Sequence, residues 1–598
     1  MEKDDDTRGA VLARAHRRGC ICASSTAKAA ERLTIRNITI VDPVAGATSR
    51  RDVVIDGDRI VRIAAAGPKR KVSINSATID GTGKYLIPGL WDMHGHVSDR
   101  ESGPLYVLNG VTGVRQIMGH SQSYAWRHQK IEATPIMPRM YLGSTLIDGK
   151  PAHVPGSIEI SSAGEARAAV RTVKRSGAEF LKVYSKVPAP AYAALMDEAQ
   201  KLGVRVEGHV PDAVSWFTVA VVGKQRSIEH LWGLPRWVAS NAEDLSQRTA
   251  QFYESVTWGG TLTAEQQKRT IDLQNEAYDK YDPSRFSALL GHLARNRVWQ
   301  SPTLIVWETR IRETDAKTLA DPRLEYLPQW MRDFWPWKVA NDGNEKPAAR
   351  ALSERRHRFN LDRLGEMHAA GVPILAGTDS PLPYILPGWS LHEEMELLVQ
   401  AGLKPMEALQ AATSNAGKFI GREDIGRVRV GALADLVILT ADPQRNIANT
   451  REIDTVIIAG RSIDRSGRKA AFEQMKRQFA APSASKAMIE VFKKEGFDAA
   501  VARYDKLCPA AVETIDCTPI EAVKFGLAGA LAESSAKDRL GDLVNWAEKR
   551  FREDVEIQTW AALEHKKAGR ADKAKAVFTR ALALAPGDPF LLHHLERL

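Results

Sequence analysis

The middle of the chain alternates strand-like and helix-like segments, and this rhythm constrains the fold more than any other feature. Helical segments follow most of the strands, as at 165–175, 191–201 and 362–370. The predicted strands cover residues 85–90, 111–117, 140–144, 180–184, 204–208, 227–230, 301–306 and 373–376. Eight β/α units in succession predict the α/β class and a (β/α)8 TIM barrel, whose site lies at the C-terminal ends of the strands.

Two long helical excursions interrupt the rhythm, and both are expected on the catalytic face of the barrel. The first covers residues 234–297 and the second covers residues 310–356. The second contains Trp330, Trp335 and Trp337, which are more readily core residues than a lid over a substrate.

Strand-like segments flank the predicted barrel on both sides. LTIRNITIVD and DVVIDGDRIVRI precede it, and ADLVILTAD and IDTVIIAGRSI follow it. We therefore predict a small β-sandwich domain built from residues 32–85 and 428–466, with the barrel at 86–427.

The last part of the chain, residues 467–598, is rich in Ala, Lys and Glu and is predicted to be helical. Residues 556–588 resemble a tetratricopeptide repeat, with Gly569, Ala574, Phe578 and Pro586 at the expected offsets. One clear repeat is fewer than a stable solenoid needs, so we expect this tail to dock on the barrel, on a second copy of the chain or on another protein.

Composition excludes several classes of protein. The 598 residues carry Lys+Arg 83 against Asp+Glu 73, with no long basic block, which argues against nucleic-acid binding. No uncharged apolar run is long enough to span a membrane. Residues 1–31 read as a disordered segment or a relic of a targeting signal. Because no apolar run follows Arg17, a cytoplasmic location is expected, and a periplasmic one stays open.

The cysteines fit no zinc-binding spacing. Cys20 and Cys22 lie near the N-terminus, and Cys508 and Cys517 lie in the tail. The last two would either pair in an oxidising compartment or remain reduced thiols.

His94 and His96 form a His-x-His pair in the segment IPGLWDMHGHV, at the end of a predicted strand. Residues two apart on a strand point to the same face, so both imidazoles are expected to enter the barrel mouth together. Neutral imidazole is a common ligand of zinc-class metals, which makes the pair a candidate metal site.

Four more ionisable residues lie at the ends of other predicted strands. They are Lys182 in EFLKVY, His209 in RVEGH, His230 in SIEH and Asp379 in PILAGTD. In this order, and over about residues 33–463, the sequence resembles the amidohydrolase superfamily, and it looks most like the imidazolonepropionase-like and dipeptidase-like branch. GVTGVRQIMG, LHEEMELLVQAGLKPMEALQAATSNAGKFIG and GALADLVIL add to the resemblance.

The resemblance implies two divalent metal ions, and imidazole and carboxylate ligands suit zinc. One ion would be held by His94, His96 and Asp379, and the other by His209 and His230. Asp379 would also be the catalytic residue that takes a proton from a metal-activated water and carries it to the leaving nitrogen. His230 has an alternative interpretation as a packed core histidine.

Lys182 needs a separate explanation, because an ammonium group repels cations. The resemblance implies that it reacts with carbon dioxide to give a carbamate that bridges both metals. The alternative is an uncarboxylated Lys182 that pairs with Asp379 in a site for one metal. Candidate substrate-binding residues are His153, Tyr184, Tyr384 and His392, and for His392 a supporting role outside the ligand set is also open.

The predicted function is hydrolysis of a carbon–nitrogen bond in an amide, a cyclic amide or a dipeptide, with a small-molecule or dipeptide-like substrate. The alternatives are a deaminase or phosphoesterase on the same fold, and an interaction protein whose helical tail binds a partner beside a vestigial barrel.

Overall fold

The computed structural model describes residues 32–67, 76–127, 136–222, 224–254, 263–342, 346–509 and 515–598. The predicted N-terminal segment, with Cys20 and Cys22, lies outside the described residues. Within them, no helix has the length and apolarity needed to cross a membrane.

The described strands fall into two sheets. In chain order they are β1 (Arg32–Asp42), β2 (Gly46–Asp56), β3 (Arg59–Ala65), β4 (Ser76–Asp80), β5 (Tyr85–Pro88), β6 (Leu90–Gly95), β7 (Val111–Gln116), β8 (Arg139–Asp148), β9 (Ile158–Glu159), β10 (Phe180–Val183), β11 (Val206–Gly208), β12 (Gln225–Glu229), β13 (Trp299–Ser301), β14 (Leu436–Leu439), β15 (Ile453–Ile458) and β16 (Arg461–Ile463).

The first sheet joins the two flanks of the chain. Its order is β16-β15-β14-β5-β1-β2-β3, and β4 pairs with β1. Alternating residues of β1, such as Leu33 and Ile35, are buried in one core together with Leu436 and Ile438 of β14. Because strands from residues 32–88 and 436–463 share one sheet, the β-domain unites segments from both sides of the barrel.

The second sheet is the barrel. Strands β6, β7, β8, β10, β11, β12 and β13 pair in that order and in parallel, and β9 pairs with β8. The segment after residue 372 closes the circle by parallel bridges from Ile374 to Gln300 and from Ser380 to Gly95. The fold is therefore the nearly closed α/β barrel that the eight-unit rhythm predicts.

Three of the predicted strands differ from the structure. The segment 85–90 was expected to be the first barrel strand, but β5 pairs with β1 and β14, and the barrel begins with β6. The predicted strand 301–306 is mostly wrong, because β13 ends at Ser301 and a helix begins at Leu304. The predicted strand 373–376 is reduced to bridges. Apolar runs this short do not distinguish a strand from a buried helix.

The helices cover the outside of the barrel, the excursions and the tail. They are α1 (Gly103–Leu108), α2 (Ser121–Arg127), α3 (Ala163–Ser176), α4 (Ala189–Leu202), α5 (Trp216–Val222), α6 (Leu234–Trp237), α7 (Ala242–Glu254), α8 (Ala264–Asp279), α9 (Pro283–Arg295), α10 (Leu304–Arg312), α11 (Ala316–Leu319), α12 (Gln329–Asp342), α13 (Pro347–Ala369), α14 (Trp389–Gln400), α15 (Pro405–Ala411), α16 (Ser414–Ile420), α17 (Arg465–Phe479), α18 (Ala484–Glu495), α19 (Phe497–Leu507), α20 (Ala528–Ala532), α21 (Leu540–Arg550), α22 (Val555–Lys567), α23 (Ala571–Leu584) and α24 (Pro589–Leu595). A π-helix at Glu521–Leu527 precedes α20.

The tail packs on the barrel through shared apolar cores. Tyr124 of α2 and Leu142 of β8 belong to the same buried cluster as the inner residues of α18 to α24. Met475 and Phe479 of α17 lie in a second cluster with Trp335 of the excursion. The tail therefore docks on the barrel of its own chain, which is one of the three expected outcomes.

Helices α22 and α23 pack against each other, with Ala574, Phe578 and Ala581 fully buried. The helix pair expected in this region is thus present, whereas its kinship with tetratricopeptide repeats stays a prediction. The structure also pairs Cys508 with Cys517, whose Cα atoms are 5.9 Å apart.

Candidate active site

The ends of three distant barrel segments bring His94, His230 and Asp379 together. One ligand atom from each lies within 4.8 Å of the other two, and both histidines are buried. His94 belongs to β6, His230 follows β12, and Asp379 lies in the segment that closes the barrel. Two imidazoles and a carboxylate at this separation can hold one divalent cation.

His96 contacts the same carboxylate. Its Nε2 lies 2.9 Å from Asp379 Oδ1, and His94 Nε2 lies 3.3 Å from that oxygen. The Nδ1 atom of His96 is buried without a hydrogen-bond partner among the described residues. The His-x-His pair therefore converges on Asp379, as its position on the strand predicts.

His209 stands on the other side of His230. The two ring centroids are 4.9 Å apart, and Ser185 Oγ lies 2.8 Å from His209 Nδ1. The opposite nitrogen, Nε2, is buried and has no hydrogen-bond partner in the described part of the chain. An orphaned imidazole nitrogen at this point is what a metal-ligating histidine presents before its metal binds.

Burial favours the neutral form of these imidazoles. It lowers the pKa of His230 to about 3 and holds the pKa of His209 well below the usual value, with the nearby charges of His94 and Lys182 respectively adding to the effect. Neutral imidazole is the form that binds a metal.

Lys182 of β10 is buried beside the histidines, with 2% of its surface exposed. Burial lowers its pKa to about 8, while the nearby carboxylates of Glu229 and Asp379 act in the opposite direction. A Cβ on Gly208, which has φ +132°, would lie 2.2 Å from the Val183 carbonyl oxygen and 2.9 Å from Lys182 Cδ. This position therefore requires glycine, because the neighbouring backbone of β10 leaves no room for a side chain.

The backbone is strained where the side chains converge. His230, Thr303 and Asp379 adopt left-handed conformations, with φ values of 64°, 44° and 62°. Thr303 Oγ1 also lies 2.7 Å from His230 Nδ1 and orients that ring. Such strain outside glycine is concentrated at functional sites, because the surrounding fold must hold it.

Residues 337–463 match the amidohydrolase family, and the matched segment includes Asp379. The chain contains an amidohydrolase family domain.

Solved structures share the fold of about three quarters of the chain. A bottromycin amidohydrolase superposes with a TM-score of 0.59 at 23% identity, over 77% of this chain and 95% of that one. A protein from Bifidobacterium longum described as a putative prolidase has a TM-score of 0.51 at 21% identity, over 75% of this chain and 99% of that one.

A curated relative matches a shorter segment. Adenine deaminase 2 of Agrobacterium fabrum is 37% identical over 92 residues, which is 15% of this chain and 14% of that enzyme. The chain thus spans about a seventh of the length of this relative.

A buried ionic network lies behind the histidines of the candidate site, and we refer to it as the Arg115 network. Arg115 donates to Glu207 at 3.0 Å and to Glu229 at 2.7 Å, and all three side chains are fully buried. Glu229 in turn lies 2.7 Å from His94 Nδ1, so the network fixes the orientation of that ring.

This network was not predicted from the sequence, although one signal of it is present there. Glu207 and Glu229 stand two residues and one residue before the histidines in RVEGH and SIEH. Arg115 stands in GVTGVRQIMG, far from both glutamates along the chain.

Asp92 ties the first barrel strand to the closing segment. Its carboxylate accepts hydrogen bonds from Thr378 Oγ1 at 2.6 Å, from Thr378 N at 3.0 Å and from His94 N at 3.1 Å. Since Thr378 precedes Asp379, this contact sets the position of the proposed ligand. Asp92 was also missed by the sequence analysis.

Two of the four predicted substrate-binding residues lie beside the site. The ring of Tyr184 is 4.2 Å from that of His209, and the ring of His153 is 5.7 Å from that of Tyr184. A role for both in substrate binding stays a prediction.

The other two make different contacts, and a role for Tyr384 in substrate binding stays a prediction. Tyr384 packs on Trp335 at 5.5 Å, in an apolar cluster with α17. His392 is buried, with Nδ1 2.8 Å from Thr450 Oγ1 and Nε2 2.9 Å from the Asn109 carbonyl oxygen. Because both its ring nitrogens are occupied, the structure favours the supporting role for His392.

Proposed function

We propose that the protein is a metal-dependent amidohydrolase that hydrolyses a carbon–nitrogen bond in an amide, a cyclic amide or a dipeptide. The observation that carries this proposal is the meeting of His94, His230 and Asp379 within 4.8 Å, at the mouth of a barrel that carries an amidohydrolase family domain. Prolidase-like and amidohydrolase structures with the same fold agree with it.

The donor set fits two divalent cations, with zinc as the expected metal. His94, His96 and Asp379 would hold the first, and His209 and His230 the second. Divalent ions bound there would supply Lewis acidity. This lowers the pKa of water, so that hydroxide is available to attack a carbonyl at neutral pH. The buried Nε2 of His209, which lacks a partner among the described residues, supports this assignment.

Lys182 would join the two ion sites as a carbamate. Its neutral amine forms a bond to the carbon of carbon dioxide and releases one proton, which leaves an anionic group with two oxygens. The lowered pKa of about 8 raises the fraction of neutral amine at physiological pH, and burial is the main cause. In the alternative, the lysine stays an ammonium group and pairs with Asp379 in a site for one metal.

Asp379 would move the proton during hydrolysis. Burial alone would favour its neutral acid, but the neighbouring His230 and His94 hold the pKa of Asp379 well below its usual value. Its carboxylate can therefore accept a proton from the attacking water and deliver it to the leaving nitrogen. His96 and His94, at 2.9 and 3.3 Å, hold this carboxylate in place.

Metal analysis tests the proposal directly. We expect two zinc ions per chain in protein prepared with bicarbonate, and a large loss of metal in Lys182→Ala that acetate partly restores. Lys186→Ala is the matched control, because Lys186 Nζ donates to the Pro151 carbonyl at the surface. One metal per chain in the presence of bicarbonate would reject the bridging carbamate.

Activity is tested with a library of dipeptides, N-acyl amino acids and cyclic amides, with and without chelator. Metal-dependent release of an amine is the expected result. Metal-loaded protein that is inactive on every member would count against amide hydrolysis.

Deamination is the second candidate, because adenine deaminase 2 matches part of the chain. Release of ammonia from adenine, with no activity on the amide library, would favour it over the first.

A further inference from the structure

A cleft opens beside His230 and is walled by the two helical excursions. Trp232 and Pro235 line it near the barrel, Leu273 and Ala277 line it from α8, and Trp307 lines it from α10. Because the walls are largely apolar and one end is a proposed metal ligand, the cleft has the form of a substrate pocket.

Two parallel indole rings form the broadest apolar surface of the cleft. The rings of Trp232 and Trp307 are 6.3 Å apart with an interplanar angle of 17°. The Arg356 guanidinium lies over both, 4.3 Å from the Trp307 ring and 5.7 Å from the Trp232 ring. Cation–π contact on both rings holds this guanidinium in one place.

The cleft contains buried hydrogen-bond donors that have no acceptor among the described residues. Arg236 Nε and Trp307 Nε1 are buried N–H groups without an acceptor among the described residues, and their side chains are 8% and 6% exposed. Thr249, which also lines the cleft, donates its hydroxyl to the Leu245 carbonyl at 2.7 Å. Buried donors without acceptors are unfavourable until a ligand supplies an acceptor.

The positive charge of the cleft is only partly compensated. Arg236 pairs with Asp212 at 3.0 Å. Arg356 bonds to the neutral groups Tyr278 OH and Gln274 Oε1. Arg356 makes no salt bridge within the described part of the chain, and none of the described residues that line the cleft is an aspartate or glutamate.

We propose that this cleft binds a carboxylate on the substrate, held by Arg356, with an apolar or aromatic group packed on Trp232 and Trp307. The substrate class would then be an N-acyl amino acid or a peptide with an apolar side chain and a free carboxylate. The inference rests on the proposed function, because it takes His230 to stand at the reacting centre. An arginine fixed on an aromatic surface is well suited to binding a carboxylate through two donors.

Binding of probes that contain no carbon–nitrogen bond tests the cleft without hydrolysis. We expect the metal-loaded protein to bind 3-phenylpropanoate at least about tenfold more tightly than 3-phenylpropan-1-ol by titration calorimetry, with quenching of tryptophan fluorescence. Equal affinity for the acid and the alcohol would overturn the proposal.

The variants are chosen to separate charge from packing. Arg356→Gln should abolish the preference for the acid and leave the affinity for the alcohol unchanged. Arg350→Gln is the matched control on the same helix, because Arg350 pairs with Asp315 at the surface and should keep the preference. Trp307→Phe removes the Nε1 donor but keeps an aromatic ring, and it should weaken binding of the acid more than that of the alcohol. A preference unchanged in both Arg356→Gln and Trp307→Phe would also refute the assignment.

Hydrolysis of N-acetyl-L-phenylalanine and of N-acetyl-2-phenylethylamine distinguishes the two proposals. The amide is the same in both compounds, and only the first has a carboxylate. Cleavage of both at equal kcat/KM would retain the hydrolase and reject the carboxylate pocket. Selective binding of 3-phenylpropanoate without cleavage of either compound would retain the pocket and count against amide hydrolysis.

Discussion

The Arg115 network is fully buried and the carboxylates between the barrel and the tail are only half-buried, yet the less buried region favours protonated carboxylates more strongly. In the network, burial opposes ionisation, but Arg115 and His94 hold the pKa of Glu229 well below its usual value. Glu207 competes for the same guanidinium, and burial raises its pKa to about 7. One guanidinium and one imidazole thus suffice to keep one of the two glutamates ionised.

The second region contains an excess of acid, and we call it the tail cluster. It comprises Asp99 and Glu101 from the loop after β6, and Asp516, Glu521 and Glu556 from the tail. Burial and the neighbouring carboxylates raise the pKa of Glu521 to about 9, that of Glu556 to about 8 and that of Glu101 to about 7. Arg100 and Lys524 offset only part of this effect on Glu101 and Glu556.

The difference shows that the partner, and not the depth of burial, decides whether a carboxylate keeps its charge. The network is built to hold a charge next to a proposed metal ligand. The tail cluster is most stable when it holds protons, so docking of the tail should depend on pH.

The largest expected effect comes from removing the cation of the network. Arg115→Met leaves Glu207 and Glu229 buried without their partner, and it should lower the free energy of unfolding by about 3–5 kcal/mol. It should also reduce metal content, because His94 loses its fixed orientation. Urea denaturation and elemental analysis measure both effects.

The control for that change is Arg171→Met. Arg171 pairs with Glu198 on the surface, with about half of its side chain exposed, and should change stability by less than about 1 kcal/mol. Similar losses in the two variants would show that the network is no more important than a surface pair.

The disulfide gives the next effect, because it closes the loop that carries Asp516 into the tail cluster. Replacing Cys508 and Cys517 together with serine should destabilise the tail by about 2–3 kcal/mol, since the unfolded chain regains its loop entropy. Thermal denaturation with and without reductant measures this. Reductant should lower the melting temperature of the wild type and leave the variant unchanged, and a wild type insensitive to reductant would contradict the prediction.

The pH dependence of stability is the most direct test of the comparison. The pKa of Glu521 is raised from 4.5 to about 9, so its stabilising contribution is complete below about pH 4.5 and is lost as the pH rises toward 9. Glu521→Gln should flatten this decline and add about 1–2 kcal/mol at pH 8–9. Denaturant melts from pH 5 to pH 9 provide the measurement.

Glu229→Gln should behave in the opposite way in the same melts. The pKa of Glu229 is lowered from its ordinary value of 4.5, so the charged carboxylate stabilises the fold at every pH above about 4.5. This contribution is lost only as the pH falls below that value. The variant should therefore be less stable than the wild type throughout pH 5–9. Parallel pH profiles for Glu229→Gln and Glu521→Gln would contradict the claim that the two regions favour different protonation states.

The smallest expected effect is at a single contact between the barrel and the tail. Ser121 Oγ donates to the buried Asp588 Oδ2 at 2.5 Å, and the other oxygen of Asp588 caps α24. Ser121→Ala should cost about 1 kcal/mol. Ser123→Ala is the control, because its buried hydroxyl has no partner among the described residues, and it should be nearly neutral.

Much of this architecture follows from local pattern. The alternation of strands and helices predicts the barrel, and the flanking strand-like segments predict a β-domain drawn from both sides. The candidate ligands could be found because His230 ends a recognisable strand segment, and because the order of His94, His230 and Asp379 along the chain resembles that of the amidohydrolase superfamily.

Other features were decided only by the tertiary structure. Arg115 meets Glu207 and Glu229 across 92 and 114 residues of sequence, and no local spacing marks such a contact. The left-handed backbone at Asp379 occurs where Asp379 N donates to the His94 carbonyl oxygen and Thr378 N donates to Asp92, contacts that join the closing segment to β6. The donor-rich cleft exists because two separate excursions fold against each other. A sequence determines its local periodicity by itself, whereas the partner of a buried charge is chosen by long-range packing, which sets the protonation state of the Arg115 network and of the tail cluster.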